Sequence, residues 1–431
     1  MTRKFLFVLI IIILNIPLIA QMNKNGIPLM KNYAPNDYGA SEQNWAICED
    51  NRGVIYVGNT EDGILEFDGS TWKKIPISNG SIVRSLAHLD GTVYVGGVEE
   101  FGYLAPDKQG RIHYNSLVNQ LDTIDFKDVW KIYILDRHVY FCCDEVIYSF
   151  EDKKLKNVYR NTDGSFLSFK VHDEIYWGHV YDGPYKLIND SVEFILGGEF
   201  YKEKDIFLML PWSENEIFIA TIGEGIFIYN KTTGLSKTLR SLGPQYKDLA
   251  NILDDSQIYN GTQLSNGDYA LATLNNGCLV FNSAGDIVYK LDKENGLQDF
   301  VVINLYETLD GNLWMALNKG ISYAEISTPF TRLGNEYGLE GIILDVKRYN
   351  DVLFVATNIG AYFLDYNENN LPIFKSIPID NRLVWQIEEF KVPNSDESKL
   401  LFATDYHVRE YFHNKEPELV SSIEYNCRII Y

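Results

Sequence analysis

Histidine, cysteine and paired carboxylates are the residues most able to do chemistry, and their spacing here supports little of it. The seven histidines are His88, His113, His138, His172, His179, His407 and His413. None forms an HxH or HExxH pair that would place two imidazoles together, so no zinc site is expected. Most fall in or beside turns, where a histidine is a solvated surface group. The five cysteines (Cys48, Cys142, Cys143, Cys278, Cys427) lack CxxC spacing and are too irregular for a disulfide framework. They read as small apolar strand residues, and a Cys142–Cys143 bridge would be strained. There is no GxSxG elbow, no Walker loop and no GxGxxG after a strand. Gly223-Glu224-Gly225 reads as a turn, and Asp163-Gly164 and Asp254-Asp255 lack the ligand series of a calcium loop. Two carboxylates could still meet in space for glycoside hydrolysis, which chain spacing does not decide. No catalytic residue, metal ligand or cofactor is assigned, and the chain reads as a binding protein, not an enzyme.

Composition narrows the partners. Of 431 residues, 46% are hydrophobic and 23% charged, enough apolar material for a sizeable core. The 29 Tyr, 23 Phe and 7 Trp outweigh 13 Pro, a mixture that favours strands. A formal charge of −21 repels a phosphate backbone and argues against nucleic acid. Arg3 and Lys4 precede the apolar run Phe5–Leu14, and Ala20-Gln21 offers a cleavage point, the outline of a secretory signal peptide over residues 1–20. The run is shorter than the roughly 20 residues of a membrane span, although an uncleaved signal would act as an anchor. Everything after it is expected outside the cytoplasm.

The elements that must position any site are set by a repeat. Ile55-Tyr56-Val57-Gly58, Val93-Tyr94-Val95-Gly96, Val139-Tyr140-Phe141-Cys142 and Ile175-Tyr176-Trp177-Gly178 share one strand pattern. It recurs at Ile217–Ala220, Tyr269–Ala272, Leu313–Ala316, Leu353–Ala356 and Leu400–Ala403, always ending on Gly, Ala or Cys. A small residue fixed at one strand position suits close packing of one sheet against the next. A polar turn precedes each quartet, such as Asp90-Gly91, Asp136-Arg137, Asp173-Glu174 and Asn350-Asp351. Asn, Asp and Gly tolerate positive φ, so these are hairpin turns. The mean period between Gly53 and Asp351 is about 43 residues, the size of a four-stranded propeller blade. The fold is therefore expected to be all-β, a propeller that closes radially and protects its strand edges.

Trp45 through Gly58, with the sequel Asp62-Gly63-Ile64-Leu65-Glu66-Phe67-Asp68-Gly69, resembles the two-component regulator propeller repeat. So does Leu305 through Ala316, with Lys319-Gly320-Ile321-Ser322. The resemblance covers residues 40–410 and rests on the number of copies more than on any one of them. It implies a lead-in over 21–40, seven blades over 41–328, a junction over 329–340 and the first blades of a second propeller over 341–431. It also implies a periplasmic sensor of a membrane-spanning regulator, collecting a ligand that is often a glycan fragment. A tyrosine-rich sandwich, a membrane helix and a kinase or DNA-binding output follow in such regulators. None precedes Tyr431, so the chain reads as the front of a longer sensor, touching the membrane only through a later part or an uncleaved signal, with a second copy of itself as a dimer partner. A secreted propeller that binds or cleaves polysaccharide is the alternative, and a protein-binding scaffold is a third reading.

Loops on a rigid scaffold carry function. Those joining second to third strands hold Glu61, Glu99, Glu100, His179, Tyr181, Glu224, Asn275, Asn276 and Lys319. Carboxylates and amides suit sugar hydroxyls and Tyr181 suits a pyranose face, so these nine are the candidate ligand residues. Trp45, Trp130, Trp314 and Trp385 lie within apolar runs and are expected in the core.

Overall fold

Every repeat quartet becomes the second strand of an antiparallel sheet, four-stranded in all but the seventh copy. The computed structural model describes residues 26–160, 165–179, 181–188, 191–366, 372–379, 383–395, 397–411 and 418–422. The signal-peptide residues, Asp163-Gly164, His413 and Cys427 lie outside them. The described residues form two compact units, one from Pro28 to Thr328 and one holding those from Pro329 onward together with Gly26 and Ile27.

In the first unit the sheets follow one another along the chain. Their first strands are Asn44–Glu49, Val83–Leu89, Lys131–Leu135, Ser165–Val171, Ile206–Pro211, Ile258–Gln263 and Val302–Glu307. Each of these packs beside the next, and Val302–Glu307 packs beside Asn44–Glu49, so the seven form a closed ring. The molecule is a β-propeller with these strands innermost. In six blades the remaining strands run outward in sequence order. In the seventh, the place beyond Ile321–Glu325 is taken by Ile27–Tyr33, from the stretch expected to be a lead-in, with Leu29 opposite Glu325 and Tyr33 opposite Ile321. First and last blades are thus tied by hydrogen bonds as well as packing.

There is no single core. Seven apolar clusters each fill the space between two successive blades. Ile64, Ile75 and Tyr56 of the first blade meet Val83, Val93 and Val95 of the second. Each fully buried Val, Leu, Ile or Phe contributes roughly 1.5–3 kcal/mol, so stability is distributed around the ring. The small residue ending the quartet has the expected role in the first blade. A Cβ on Gly58 would lie 2.6 Å from the Val83 carbonyl and 2.7 Å from Val83 Cγ1 in the next blade.

The hairpin turns use positive φ, at +46° and +78° for Asp90-Gly91 and +44° and +67° for Asp136-Arg137. In the fourth blade the turn falls one residue earlier than the sequence suggests, with His172 at φ +52°. Side chains brace these turns. Asp50, 4% exposed, accepts from Arg52 Nη2 at 2.6 Å, from the Arg52 backbone N–H at 2.8 Å and from the Tyr56 hydroxyl at 3.2 Å. The Thr71 backbone N–H, the Thr71 hydroxyl and the Ser70 N–H hold the exposed Asp68 carboxyl at about 2, and the Arg111 backbone N–H keeps Asp107 below its ordinary value. Carboxyls lowered in the fold stabilise it above their unfolded pKa, near 4, and that contribution is lost as pH falls through the folded value. The melting temperature should therefore drop between about pH 4 and pH 2, as a thermal-melt pH series would show.

The second unit holds two more sheets of the same type. One comprises Ile343–Tyr349, Val352–Thr357, Gly360–Tyr366 and Pro372–Ile377, and the other Val384–Lys391, Ser398–Thr404, His407–Glu410 and Glu418–Ser422. Phe354, Ala356, Ile387 and Phe402 are buried between them. On the first strand Ile343 and Val346 stay about half exposed.

Candidate ligand-binding face

The antiparallel register fixes which end of the first propeller carries the candidate residues. The start of each inner strand lies opposite the end of the second strand, as with Asn44 and Asn59. Second-to-third-strand loops, links between blades and the first residues of the inner strands therefore share one face. All nine candidates lie on it, in six of the seven blades.

Their side chains fall into two groups. The carboxylates of Glu61 and Glu99 are exposed and have no hydrogen-bond or ion-pair partner among the described residues, and Tyr181 is 61% exposed. Glu99 sits at φ +54°, with its N–H donating to the Lys127 carbonyl at 2.6 Å. A non-glycine residue in that region is strained and held by its surroundings. Beside it lies an open depression of about 590 Å³ lined by Asn79, Asn119 and Asp122 among others.

The remaining candidates are engaged within the protein. Glu100 is buried and accepts from the Tyr114 hydroxyl at 2.9 Å and the Ser116 hydroxyl at 2.6 Å, so it braces its blade from within. The Tyr114 hydroxyl is correspondingly pushed far above its ordinary pKa, by burial first and by the Glu100 charge second. Asn275 accepts from the Gln257 N–H at 2.9 Å and donates to the Asp255 carbonyl at 3.0 Å, and Asn276 donates to the Ser256 hydroxyl at 3.2 Å. These amides tie their loop to the preceding inter-blade link. Lys319 reaches Glu42 at 3.6 Å and Glu224 reaches Lys204 at 3.9 Å, both weak surface pairs. His179 is buried, and its Nδ1 accepts from the Asp182 N–H at 3.1 Å. Removing the Glu100 carboxylate takes away the acceptor of two partly buried hydroxyls, of which Ser116 Oγ still accepts from the Val118 N–H at 3.3 Å. Glu100→Ala should cost on the order of 1–3 kcal/mol in urea unfolding, whereas Glu61→Ala should fall within about 0.5 kcal/mol of the parent.

The tryptophans depart from expectation. Trp314 is buried at 5% exposure, but Trp45, Trp130 and Trp385 are only half-buried. The reason is a β-bulge at the start of the inner strands. Asn44 pairs with Asn59 and Ala46 with Gly58, leaving Trp45 extra. Arg84, Phe207, Tyr259 and Ile303 are extra in the same way, and in the second unit so are Leu344 and Trp385. A bulged residue leaves the strict alternation of the pleat, so its side chain need not enter the space between blades. Trp130 stands one residue before its inner strand and donates from Nε1 to Asp144 at 2.7 Å.

Cys48, Cys142, Cys143 and Cys278 are buried free thiols, with burial raising Cys142 to about 12. Among the described residues no three His, Cys, Asp or Glu side chains are grouped to hold a metal ion, and no helix is long and apolar enough to cross a membrane.

Fold and face together define a β-propeller with a loop-bearing face at one end of its ring of inner strands. Among solved structures, the chain is similar to the extracellular domain of BT3049 of B. thetaiotaomicron, classed as a hybrid two-component system, with a TM-score of 0.58 and 15% identity over 92% of this chain. It is likewise similar to the extracellular domain of BT4673 of the same organism, classed as a one-component system, with a TM-score of 0.53 and 18% identity over 89% of this chain. The chain spans 60% and 52% of the length of those two structures. Streptogramin B lyase shares the architecture too, with a TM-score of 0.51 and 13% identity over 68% of this chain and 96% of that one. No protein-family model and no curated protein sequence matches the chain.

Proposed function

We propose that this chain is the ligand-sensing part of an exported, membrane-associated signalling regulator of the two-component type, and that its ligand is a glycan fragment. The observation that carries the reading is the structural similarity to extracellular domains of such regulators over about nine-tenths of the chain. A rigid ring that gathers second-to-third-strand loops from every blade on one face suits ligand binding. The exposed carboxylates of Glu61 and Glu99 and the exposed ring of Tyr181 supply acceptors and a stacking surface of the kind sugars use.

Calorimetric titration of the chain with a panel of plant and host oligosaccharides tests this. At least one should bind, and Glu99→Ala and Tyr181→Ala should each weaken it a few-fold with unchanged melting temperature. Binding of a non-carbohydrate periplasmic solute in place of every glycan would replace the ligand assignment. Full binding by both variants would remove those two residues from the site.

A further inference from the structure

The bulged residues of the inner strands do not pack each into its own blade interface. They meet one another around the axis. The Arg84 guanidinium carbon lies 3.8 Å from the Trp45 ring centroid and 4.9 Å from that of Trp130, so a second-blade cation is held between tryptophans of the first and third blades. On the other side Phe207 and Tyr259 have ring centroids 6.1 Å apart. The Tyr259 hydroxyl, on the sixth blade, is raised by burial, lowered by the Arg84 charge and raised by that of Asp128. In the closed ring of seven inner strands, the fifth and sixth blades, which carry Phe207 and Tyr259, lie opposite the second, which carries Arg84.

The collar has unused polar capacity. Arg84 Nε donates to Asp128 at 2.7 Å, but among the described residues the buried Nη1 has no hydrogen-bond partner. Among the described residues the Tyr259 hydroxyl has no hydrogen-bond partner either. A buried guanidinium nitrogen without an acceptor is costly in a finished core and understandable in a site awaiting one. Trp45, Arg84, Trp130, Phe207 and Tyr259 all remain half-buried and so reach solvent.

We propose that this collar is the anchoring subsite for a neutral pyranose. The inference rests on the glycan-sensing reading and moves its main contact from the loop rim to the axis. Each sugar hydroxyl donates one hydrogen bond and accepts others, and the Arg84–Asp128 pair sets guanidinium donors beside carboxylate acceptors. The C–H face of the ring lies on the aromatic rings. The pair is locally charge-balanced, so a free anion would meet Asp128 and the chain's net charge of −21, and a free cation would meet Arg84.

The test uses the whole chain, a panel of neutral disaccharides (cellobiose, xylobiose, maltose, mannobiose) with digalacturonic acid as the charged comparison, calorimetry and tryptophan emission. A neutral disaccharide should bind and change the emission. Tyr259→Phe, which removes only an unpartnered hydroxyl, should weaken it about 3- to 10-fold at unchanged melting temperature. Arg84→Met, which keeps an apolar stem between the tryptophans, should weaken it by about tenfold or more, each as expected for lost hydrogen bonds. If the collar variants bind as the parent does while Glu99→Ala and Tyr181→Ala lose affinity, the axial subsite is overturned and the glycan reading stands. Binding of digalacturonic acid alone also overturns the neutral-sugar assignment. If no saccharide binds at all, both fall.

Discussion

Tyr33→Ala is expected to lower the melting temperature of the protein by about 10 °C, and removal of residues before Ala34 to abolish cooperative unfolding of the first unit. The strand Ile27–Tyr33 is the outer neighbour of Ile321–Glu325 in the seventh blade, and Tyr33 at its end is 7% exposed. Its ring stacks on Trp314 at 5.5 Å with planes 9° apart, and meets Phe67 at 5.3 Å and Trp72 at 5.4 Å edge-on. One side chain therefore joins the seventh blade to the first. Truncating a buried aromatic costs about 3–5 kcal/mol, and for a unit of this size each kcal/mol moves the melting temperature by roughly 2–4 °C. Leu29, in the same strand but 42% exposed, is the control, and Leu29→Ala should fall within about 1 kcal/mol of the parent. A Tyr33→Ala protein that melts with the parent would show that closure of the ring does not depend on this side chain.

What the sequence made legible and what it hid follow from the same physics. The second strands are buried on both faces, so each quartet is a dense apolar run with a small terminal residue and stands out against the polar turn before it. The inner strands are less regular. Their bulge inserts one residue of any character, Trp45 in one blade, Arg84 in the next and Ile303 in another, so no composition marks it. A usable signal exists, since each of these three residues stands about a dozen places before the small residue of its own quartet. The strand Ile27–Tyr33 was hidden for another reason, because its partner lies near residue 323 and no local pattern reports a pairing that distant. At the rim, loop position was readable but side-chain direction was not. Glu99 and Glu100 are neighbours, yet one faces solvent and the other is consumed by Tyr114 and Ser116.

The same small-residue position should resist enlargement in one blade and reduction in another, and the glycine of the second blade should tolerate no added methyl group. A Cβ on Gly96 would press on the Ser85 hydroxyl and lie 2.6 Å from Val129 Cγ1 and 2.8 Å from Val129 Cβ. Neither neighbour can yield easily. Ser85 Oγ donates to the Val129 carbonyl at 2.7 Å, and Val129 is fully buried and precedes Trp130 of the collar. The Gly96 backbone is not in the left-handed region, so the penalty is purely one of space. Gly96→Ala should cost about 1–3 kcal/mol, and Gly96→Val more, by forcing the second and third blades apart. At Ala272, buried at 0% exposure, the sixth and seventh blades already accommodate a methyl group. Ala272→Gly should cost only about 1 kcal/mol, from lost packing and added backbone freedom. Urea unfolding of the three variants separates the cases. A Gly96→Ala protein as stable as its parent would mean that the recurrent small residue reflects something other than the approach of the next blade. The expected loss would place the constraint at the blade interface beneath the Arg84–Trp130 contact, tying the spacing of the collar to the most regular feature of the repeat.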